Sequence, residues 1–403
     1  MKSFVTIAFH VENLELRKDP GQIPFHAYKE LGFNSTLVTY YFPLKTGRLG
    51  GPLKNPPLDM ETILNDYPFL KSEVNGLRIE YLPNLGRGKF YEKAIFNYLV
   101  KNSKKIDVLN LIHFSSENIF YSILYKLLNP SGKIYLKLDI DIAFYKSQKS
   151  FFNTISKIKM VELILLKLFF KTVTVITAES IAGLEYFTKR FNPPFNKFVL
   201  LPNGVDLVRI YSMIDNRKSF DMKENIILSV GRIGSNQKNN ELLMTSIASL
   251  NDISDWKVFF VGPLENGFDK VISNYFEAFP HLRDKVIFVG AIDNPLELYE
   301  YYNRSKVFCL TSRFEGFPLV CCEAAFFGNY QLLSDTIFAF DTITDYGKNG
   351  KSFNLTDSTS LACLLNSIII NQIDLSVHFE STINYASENL TWQANIKKLS
   401  NFI

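Results

Sequence analysis

The segment KVFCLTSRFEGFPLVCCEAAFFG, residues 306–328, decides the fold class. It opens with KVFCLTS, an apolar run typical of a buried strand, and continues through the loop RFEGFP. A helix is expected from about Pro318, because proline is tolerated in the first turn of a helix. A strand, a loop and a helix in this order form the repeating unit of a parallel α/β sheet.

The same order recurs along the whole chain. Strands are predicted at 4–9, 35–41, 106–114, 133–140, 225–231, 256–262, 285–290 and 306–312. Helices are predicted near 22–31, 117–129, 238–250, 267–279, 295–304 and 319–328. The sequence therefore predicts two doubly wound α/β domains, 1–200 and 201–375, joined at the turn-rich LPNGVDL (201–207). Residues 376–403 are expected to form a final helix, anchored by Trp392, that crosses back to the first domain.

Length and composition agree with two folded domains. The chain has 403 residues, of which 47% are hydrophobic and 21% charged, so disorder is not expected. The net charge of +4 suits an anionic small ligand or a membrane surface and neither demands nor excludes a nucleic-acid partner. No nucleic-acid partner is predicted from the sequence as a whole. Four cysteines without a CxxC pair indicate a reducing compartment. With no signal peptide and no apolar window of 18 residues, the chain is expected to be cytoplasmic, and either soluble or peripheral to the inner face of the membrane.

A basic, apolar stretch at 152–171 separates the two predicted domains and carries Lys157, Lys159, Lys167 and Lys171. A basic amphipathic helix binds an anionic membrane surface. The same pattern fits a helix packed on the first sheet, with its lysine heads reaching water. Both interpretations are open.

The acidic residues of the opening segment are candidates for ligand binding. A buried carboxylate is costly unless it is paired, and this segment places Glu315 in the loop and Glu323 in the helix. The first-turn N–H groups of about Leu319 and Val320 would bind a diphosphate at the carboxyl edge of the sheet. Glu323, about 7 Å along the helix, would then accept hydrogen bonds from a ribose. The alternative is a helix-capping carboxylate and a solvated one.

A basic pair lies after another predicted strand, in LSVGRIGSNQKNNELL. Arg232 and Lys238 flank a glycine-containing loop at the carboxyl end of that strand. Two cations at this place would hold a pyrophosphate and stabilise it as a leaving group. The alternative is that both are merely solvated. No GxGxxG, HExxH or zinc-type Cys/His cluster occurs, so neither a standard dinucleotide site nor zinc is expected.

Together these segments resemble the donor half of the retaining glycosyltransferases of family 4. The resemblance covers residues 200–355 and includes LPNGVDL, VGRIGSNQKN, VIFVGAID, SRFEGFPLVCCEAAFFG and DYGKNGKSF. It implies the GT-B fold, in which two Rossmann-like doubly wound domains face each other across a cleft. It also implies a nucleotide-sugar donor, a UDP- or GDP-sugar, bound in that cleft without a divalent metal or another cofactor.

The resemblance assigns roles to individual residues of the second half. Arg232 and Lys238 would hold the phosphates, with the helix start at Leu319 and Val320, and Glu323 would bind the ribose. Glu315, with the backbone of Gly316 and Phe317, would contact the sugar. Residues around Gly290 to Ile292 would contact the base of the nucleotide. The implied reaction is front-face transfer with retention, in which the departing phosphate helps to deprotonate the acceptor.

The first half departs from the family pattern. Gly21 is the glycine available before the first helix, where the family often has a glycine-rich loop. Asp139 stands where many members carry a histidine that contacts the transferred sugar, and His113 is a second candidate for that contact. Asp139, Ile140 and Asp141 also spell DxD, a metal-binding motif of GT-A enzymes, but a metal is not expected here.

We therefore expect a retaining hexosyltransferase that acts on a saccharide or lipid-linked acceptor in bacterial-type surface polysaccharide or glycoconjugate synthesis. Two alternatives stay open. One is a GT-B nucleotide-sugar epimerase, and the other is a catalytically silent GT-B partner subunit.

Overall fold

The computed structural model describes residues 1–43, 51–57, 59–88, 91–139, 159–191, 197–214 and 216–403, apart from the side chains of 159–163. The chain divides into two compact units. Unit 1 comprises Met1–Glu179, Gly183–Asn203 and Asn395–Ile403, and unit 2 comprises Ser180–Ala182 and Gly204–Ala394. Asp141 of the DxD sequence and Lys157 of the basic stretch lie outside the described residues.

Unit 1 is built on a parallel sheet of seven strands in the order β3-β2-β1-β4-β5-β6-β7. The strands are β1 Ser3–His10, β2 Asn34–Tyr40, β3 Arg78–Leu82, β4 Val108–Ile112, β5 Lys133–Leu138, β6 Val175–Ala178 and β7 Phe198–Leu200. The α-helices of the first half of the chain are α1 Asp19–Leu31, α2 Met60–Asp66, α3 Phe69–Ser72, α4 Lys93–Asn102, α5 Ser116–Leu128, α6 Lys159–Thr172 and α7 Ile181–Phe191.

Unit 2 is built on a parallel sheet of six strands in the order β10-β9-β8-β11-β12-β13. The strands are β8 Glu224–Val230, β9 Lys257–Val261, β10 Val286–Gly290, β11 Ser305–Leu310, β12 Tyr330–Ser334 and β13 Gly350–Phe353. The remaining α-helices are α8 Leu207–Met213, α9 Asn240–Ala248, α10 Phe268–Ala278, α11 Pro295–Arg304, α12 Leu319–Phe326, α13 Phe340–Thr344, α14 Ser358–Ile369, α15 Ser376–Asn389 and α16 Trp392–Leu399.

Each sheet has one point at which the strand order reverses. In unit 1 the neighbours at this point are β1 and β4, and in unit 2 they are β8 and β11. Loops that leave such neighbours diverge to opposite faces of the sheet, so a crevice opens at their carboxyl ends, where ligands bind in open α/β sheets. The fold therefore places one candidate site on each unit.

Apolar side chains cover both faces of the unit 2 sheet, as expected for parallel strands. One buried cluster includes Leu228, Phe308 and Phe326 on one face, and another includes Ile227, Val258 and Cys309 on the other. Adjacent strand residues such as Phe308 and Cys309 thus point to opposite cores. This two-sided burial holds the strand ends rigidly and fixes the loops that follow them.

The structure confirms the α/β class and also contains helices that the sequence analysis did not predict, namely α2, α3, α4, α7, α8, α13 and α14. The sequence analysis missed β3, β6, β7, β12 and β13, which are only three to five residues long. Helix α1 begins at Asp19, so Gly21 lies inside its first turn and not before it, and a Cβ at Gly21 would approach the Leu16 carbonyl oxygen to 2.4 Å. The predicted final helix is two helices, α15 and α16, interrupted near Thr391.

Candidate functional site

Two loops meet at the strand reversal of unit 2, one after β8 and one after β11. Thr311 Oγ1 donates to the Lys238 carbonyl oxygen at 2.9 Å, and the Arg313 N–H donates to the Gln237 carbonyl oxygen at 2.8 Å. Gln237 Nε2 donates in turn to the Phe314 carbonyl oxygen at 3.1 Å. These bonds join the loop that carries the basic pair to the loop that carries Glu315.

Lys238 and Glu315 form an ion pair where the two loops join. Lys238 Nζ lies 2.6 Å from Glu315 Oε1, and the two side chains are only 14% and 11% exposed. Ser312 Oγ donates to the same carboxylate oxygen at 2.6 Å. An ammonium has three donors, so Lys238 can keep this carboxylate and still bind a phosphate.

Arg232 is the exposed cation of the site. It lies two residues after the end of β8, and its Nη2 donates to Gln237 Oε1 at 2.8 Å. A guanidinium has five donors in a planar fork, so one bond to an amide leaves others for a phosphate. Arg232 and Lys238 therefore give the strand reversal two positive groups within one short loop.

Helix α12 begins beside this loop. Pro318 is its N-cap and makes no side-chain capping bond, and Leu319 and Val320 form the first turn. Gly316 and Phe317 precede the helix and are partly buried. The first-turn N–H groups and the helix dipole thus add a positive end to the same edge of the sheet.

Glu323 lies in the second turn of α12 and is partly buried. Tyr302, a fully buried residue of α11, donates its hydroxyl to Glu323 Oε2 at 2.9 Å. Burial and the neighbouring Glu323 carboxylate raise the pKa of the Tyr302 phenol well above its usual value, so it remains a donor. The Tyr302 ring stacks on Phe327, with centroids 6.1 Å apart. Tyr302 therefore fixes the orientation of the Glu323 carboxylate.

The predicted base-contacting residues, around Gly290 to Ile292, lie at the end of β10. Gly290 ends β10 with a φ of 88°, and its carbonyl oxygen accepts from the Gly262 N–H at 2.8 Å. A Cβ at Gly262 would come within 1.8 Å of the Gly231 carbonyl oxygen, so only glycine permits this approach of backbones. Ile292 is partly buried against the unit 2 core.

In unit 1, a group of ionisable residues lies at the carboxyl ends of β4, β5 and β6. Asp139 Oδ2 lies 3.9 Å from His113 Nδ1, and both side chains are about half exposed. Behind them, Lys137 Nζ lies 3.6 Å from Glu179 Oε2, and both side chains are buried. Burial, together with the Asp139 charge, raises the pKa of the Glu179 carboxyl well above its usual value.

A cavity of about 730 Å³ opens at the strand reversal of unit 1. The ends of β1 and β4 and the starts of α1 and α5 form much of its wall. Asp139 and His113 line it, together with Asp19 at the start of α1. Gly21 is not among the described residues that line the cavity.

The sequence analysis missed several residues that build the site in unit 2. Ser312 and Gln237 lie in loops that it had identified, so their position at strand ends was a usable signal. Tyr302 carried no such signal, because it lies 21 residues before Glu323 on a different helix and meets it only in the folded unit.

The described ranges carry neither a metal cluster nor a membrane-spanning helix. Within them, no group of three or more His, Cys, Asp or Glu side chains is arranged to hold a metal ion. No described helix combines the length and apolar character needed to cross a bilayer. In α6, Phe169 is buried, while Ile164 and Leu168 are exposed beside the exposed Lys167 and Lys171.

Comparison with known proteins relates part of this chain to a known family. Residues 213–386 match the family model described as glycosyl transferases group 1. A stretch of 116 residues is 34% identical to the Campylobacter jejuni GalNAc-alpha-(1->4)-GalNAc-alpha-(1->3)-diNAcBac-PP-undecaprenol alpha-1,4-N-acetyl-D-galactosaminyltransferase, and covers 27% of this chain. The match spans only 29% of that relative.

Solved structures resemble the whole chain. Anabaena HepE in complex with UDP has a TM-score of 0.66 at 14% identity, and the match covers 100% of this chain and 99% of that one. The apo lipopolysaccharide outer core galactosyltransferase WaaB also has a TM-score of 0.66, at 15% identity, with 99% and 98% covered. Residues 213–386 of this chain thus match the glycosyl transferases group 1 family, and the chain as a whole has the GT-B fold.

Proposed function

We propose that the chain is a glycosyltransferase that moves a hexose-type sugar, with retention, from a UDP- or GDP-sugar to a saccharide or lipid-linked acceptor. Unit 2 binds the donor and unit 1 binds the acceptor. The observation that carries this proposal is the Lys238–Glu315 pair at the strand reversal of unit 2, beside Arg232 and the start of α12. This arrangement holds anion-binding and hydroxyl-binding groups next to each other, as a sugar diphosphate requires.

Each group has a defined task in binding the donor. Arg232, Lys238 and the first-turn N–H groups of α12 bind the diphosphate, and Glu323, oriented by Tyr302, accepts from the ribose hydroxyls. Glu315 accepts from sugar hydroxyls with the backbone of Gly316 and Phe317, while the segment from Gly290 to Ile292 borders the base.

In the proposed reaction, the bond between the anomeric carbon and the phosphate oxygen breaks, and the acceptor oxygen bonds to that carbon on the same face. The acceptor proton passes to the departing phosphate. Arg232 and Lys238 stabilise the charge that develops on the leaving group, which supports a metal-independent mechanism. Asp139, with His113 beside it, contacts the transferred sugar in the role that a histidine has in the resembled family.

We also propose that the protein works in the cytoplasm at the inner face of the membrane, in surface polysaccharide or glycoconjugate synthesis. The exposed Ile164, Leu168, Lys167 and Lys171 of α6 support peripheral contact, because apolar and basic groups together favour an anionic bilayer surface.

The first experiment is thermal-shift screening of the full chain with UDP, GDP and their sugar conjugates. A ligand that binds only the folded state raises the unfolding temperature, so at least one nucleotide should stabilise the chain and Arg232→Ala should reduce the effect. Absence of any shift across the panel would count against the proposal.

The second experiment follows the stabilising nucleotide sugar by NMR in the presence of a pool of saccharides and EDTA. Retention predicts that the product has the anomeric configuration of the donor, and Glu315→Gln should remove product formation. Inversion, or a loss of activity with EDTA that added metal restores, would contradict the mechanism. A free epimerised nucleotide sugar formed without an acceptor would identify an epimerase instead.

A further inference from the structure

The cavity of unit 1 has a lining that favours one class of acceptor. Among the described residues that line it, five carry carboxyl groups and two carry permanent positive charges. The carboxyl residues are Glu15, Asp19, Glu92, Glu117 and Asp139, and the cations are Lys18 and Arg87. The lining is therefore acidic, although the chain as a whole has a net charge of +4.

One of the two cations is already matched by carboxylates of the same cavity. Arg87 pairs with Glu117, and its Nε lies 3.4 Å from Glu92 Oε1. A guanidinium shared between two carboxylates offers little net positive charge to an incoming phosphate. Lys18, the other cation, is exposed.

Asp19 supplies an independent sign that a ligand binds here. Its side chain lines the cavity, the residue is only 6% exposed, and within the described part of the chain its Oδ2 has no hydrogen-bond partner. A buried acceptor without a donor is costly, so its place in a binding cavity indicates a ligand that donates. Sugar hydroxyls and amino groups donate, whereas phosphate and carboxylate anions do not.

Aromatic side chains line the cavity beside these carboxylates. The Phe42 ring lies 4.3 Å from the His10 ring and 6.3 Å from the Phe9 ring, measured between centroids, and Phe9 is 47% exposed. All three residues line the cavity. An exposed aromatic ring such as that of Phe9, beside carboxylates, suits a sugar ring that is apolar on one face and carries donors around its edge.

We propose that this cavity binds the acceptor through an uncharged or amino-bearing sugar, and that it discriminates against sugars carrying a phosphate or a carboxylate. The inference rests on the proposed function, since it names the acceptor class of the same enzyme. An anionic sugar would face a lining with more carboxylates than cations, whereas hydroxyl and ammonium groups would be hydrogen-bonded by Asp19 and its neighbours.

The test measures saccharide binding to the full chain by saturation-transfer-difference NMR, with UDP and GDP present to occupy the donor site and no donor sugar. Four pools share the gluco, galacto and manno configurations: N-acetylhexosamines, hexosamines, hexuronates and hexose 6-phosphates. For at least one of the three configurations, the N-acetylhexosamine or the hexosamine should bind. The hexuronate and the hexose 6-phosphate of the same configuration should bind at least tenfold more weakly. Stronger binding of the anionic pools, or binding of none, would overturn the inference.

Matched variants assign the binding to this cavity. Asp19→Asn should weaken the affinity about tenfold, equivalent to about 1.4 kcal/mol, and Glu117→Gln is the second variant should Asp19→Asn fail to fold. Glu61→Gln removes an exposed carboxylate that does not line the cavity and should bind as the unaltered chain does. Equal binding by all of these proteins would overturn the assignment.

A charge-reversal variant should gain binding of anionic sugars. Glu117→Lys frees Arg87 from one partner and adds a cation, so the variant should admit hexose 6-phosphates that the unaltered chain rejects. Continued rejection by the folded variant would contradict the role of charge. Thermal stabilisation by a nucleotide tests the donor site, whereas saccharide binding tests the cavity of unit 1. Failure of the proposed function can therefore be distinguished from failure of this inference.

Discussion

The Lys238–Glu315 pair should stabilise unit 2 as well as shape its donor site. The charged atoms lie 2.6 Å apart and the side chains are 14% and 11% exposed. At an effective dielectric constant of about 20, two unit charges at this distance attract by about 6 kcal/mol, and the cost of removing both from water offsets much of that. Removing one partner leaves the other charge unpaired in a largely dry place. We therefore expect Glu315→Gln and Lys238→Met each to lower the free energy of unfolding by about 3 kcal/mol.

Tryptophan fluorescence measures this loss in the correct unit. The chain contains two tryptophans, Trp256 and Trp392, and both are buried in unit 2. Their emission should shift to the red when unit 2 unfolds in urea, whatever unit 1 does. The midpoint and slope of that transition give the free energy for each variant.

The double variant and an exposed pair supply the controls. Lys238→Met with Glu315→Gln leaves no isolated charge, so it should cost less than the sum of the single changes, by about 2 kcal/mol. Glu224→Gln breaks the more exposed pair with Arg304 in the same unit and should cost less than about 1 kcal/mol. If Glu315→Gln costs no more than Glu224→Gln, or if the two changes in the donor site add, the reasoning is wrong.

Three further predictions concern the donor site and unit 1. Arg232→Ala should weaken the binding of UDP or GDP at least tenfold, as measured by calorimetry. The urea midpoint should not fall, because the side chain is exposed. A changed midpoint together with an unchanged affinity would contradict the role of Arg232 in donor binding. Tyr302→Phe keeps the stacked ring but removes the hydroxyl that donates to Glu323. The free energy of unfolding of unit 2 should therefore fall by about 1.5–3 kcal/mol, and the preference for a ribonucleotide over its 2′-deoxy analogue should decrease. An unchanged preference would refute the ribose contact. In unit 1, the raised pKa of Glu179 means that the folded state holds a proton which the unfolded state releases above its ordinary value of 4.5. The free energy of unfolding of unit 1 should therefore fall as pH rises from about 4.5 through the pKa that Glu179 has in the folded state. Glu179→Gln should flatten this pH dependence, measured by calorimetry on the transition that is not accompanied by a change in tryptophan fluorescence. An equal slope in both proteins would contradict the prediction.

The sequence predicted the parts of the fold that depend on local pattern. Apolar runs such as 225–231 and 306–312 are long enough to read as buried strands, and the structure has β8 and β11 there. Short strands such as β7, with three residues, carry too little pattern to stand out. The break between α15 and α16 was also missed, because a turn at Thr391 follows from backbone pairing with Val205 and not from a proline or glycine.

For the candidate site, the order of residues along the chain shows which charges follow which strands: Arg232 and Lys238 after β8, and Glu315 and Glu323 after β11. Tertiary structure alone decided that β8 and β11 are neighbours, because strand order depends on how helices pack on both faces of the sheet. That adjacency brings Lys238 to Glu315, and the packing of α11 brings Tyr302 to Glu323. The acidic cavity of unit 1 has the same origin, since its five carboxylates come from four separate segments that meet only when β1 and β4 lie side by side.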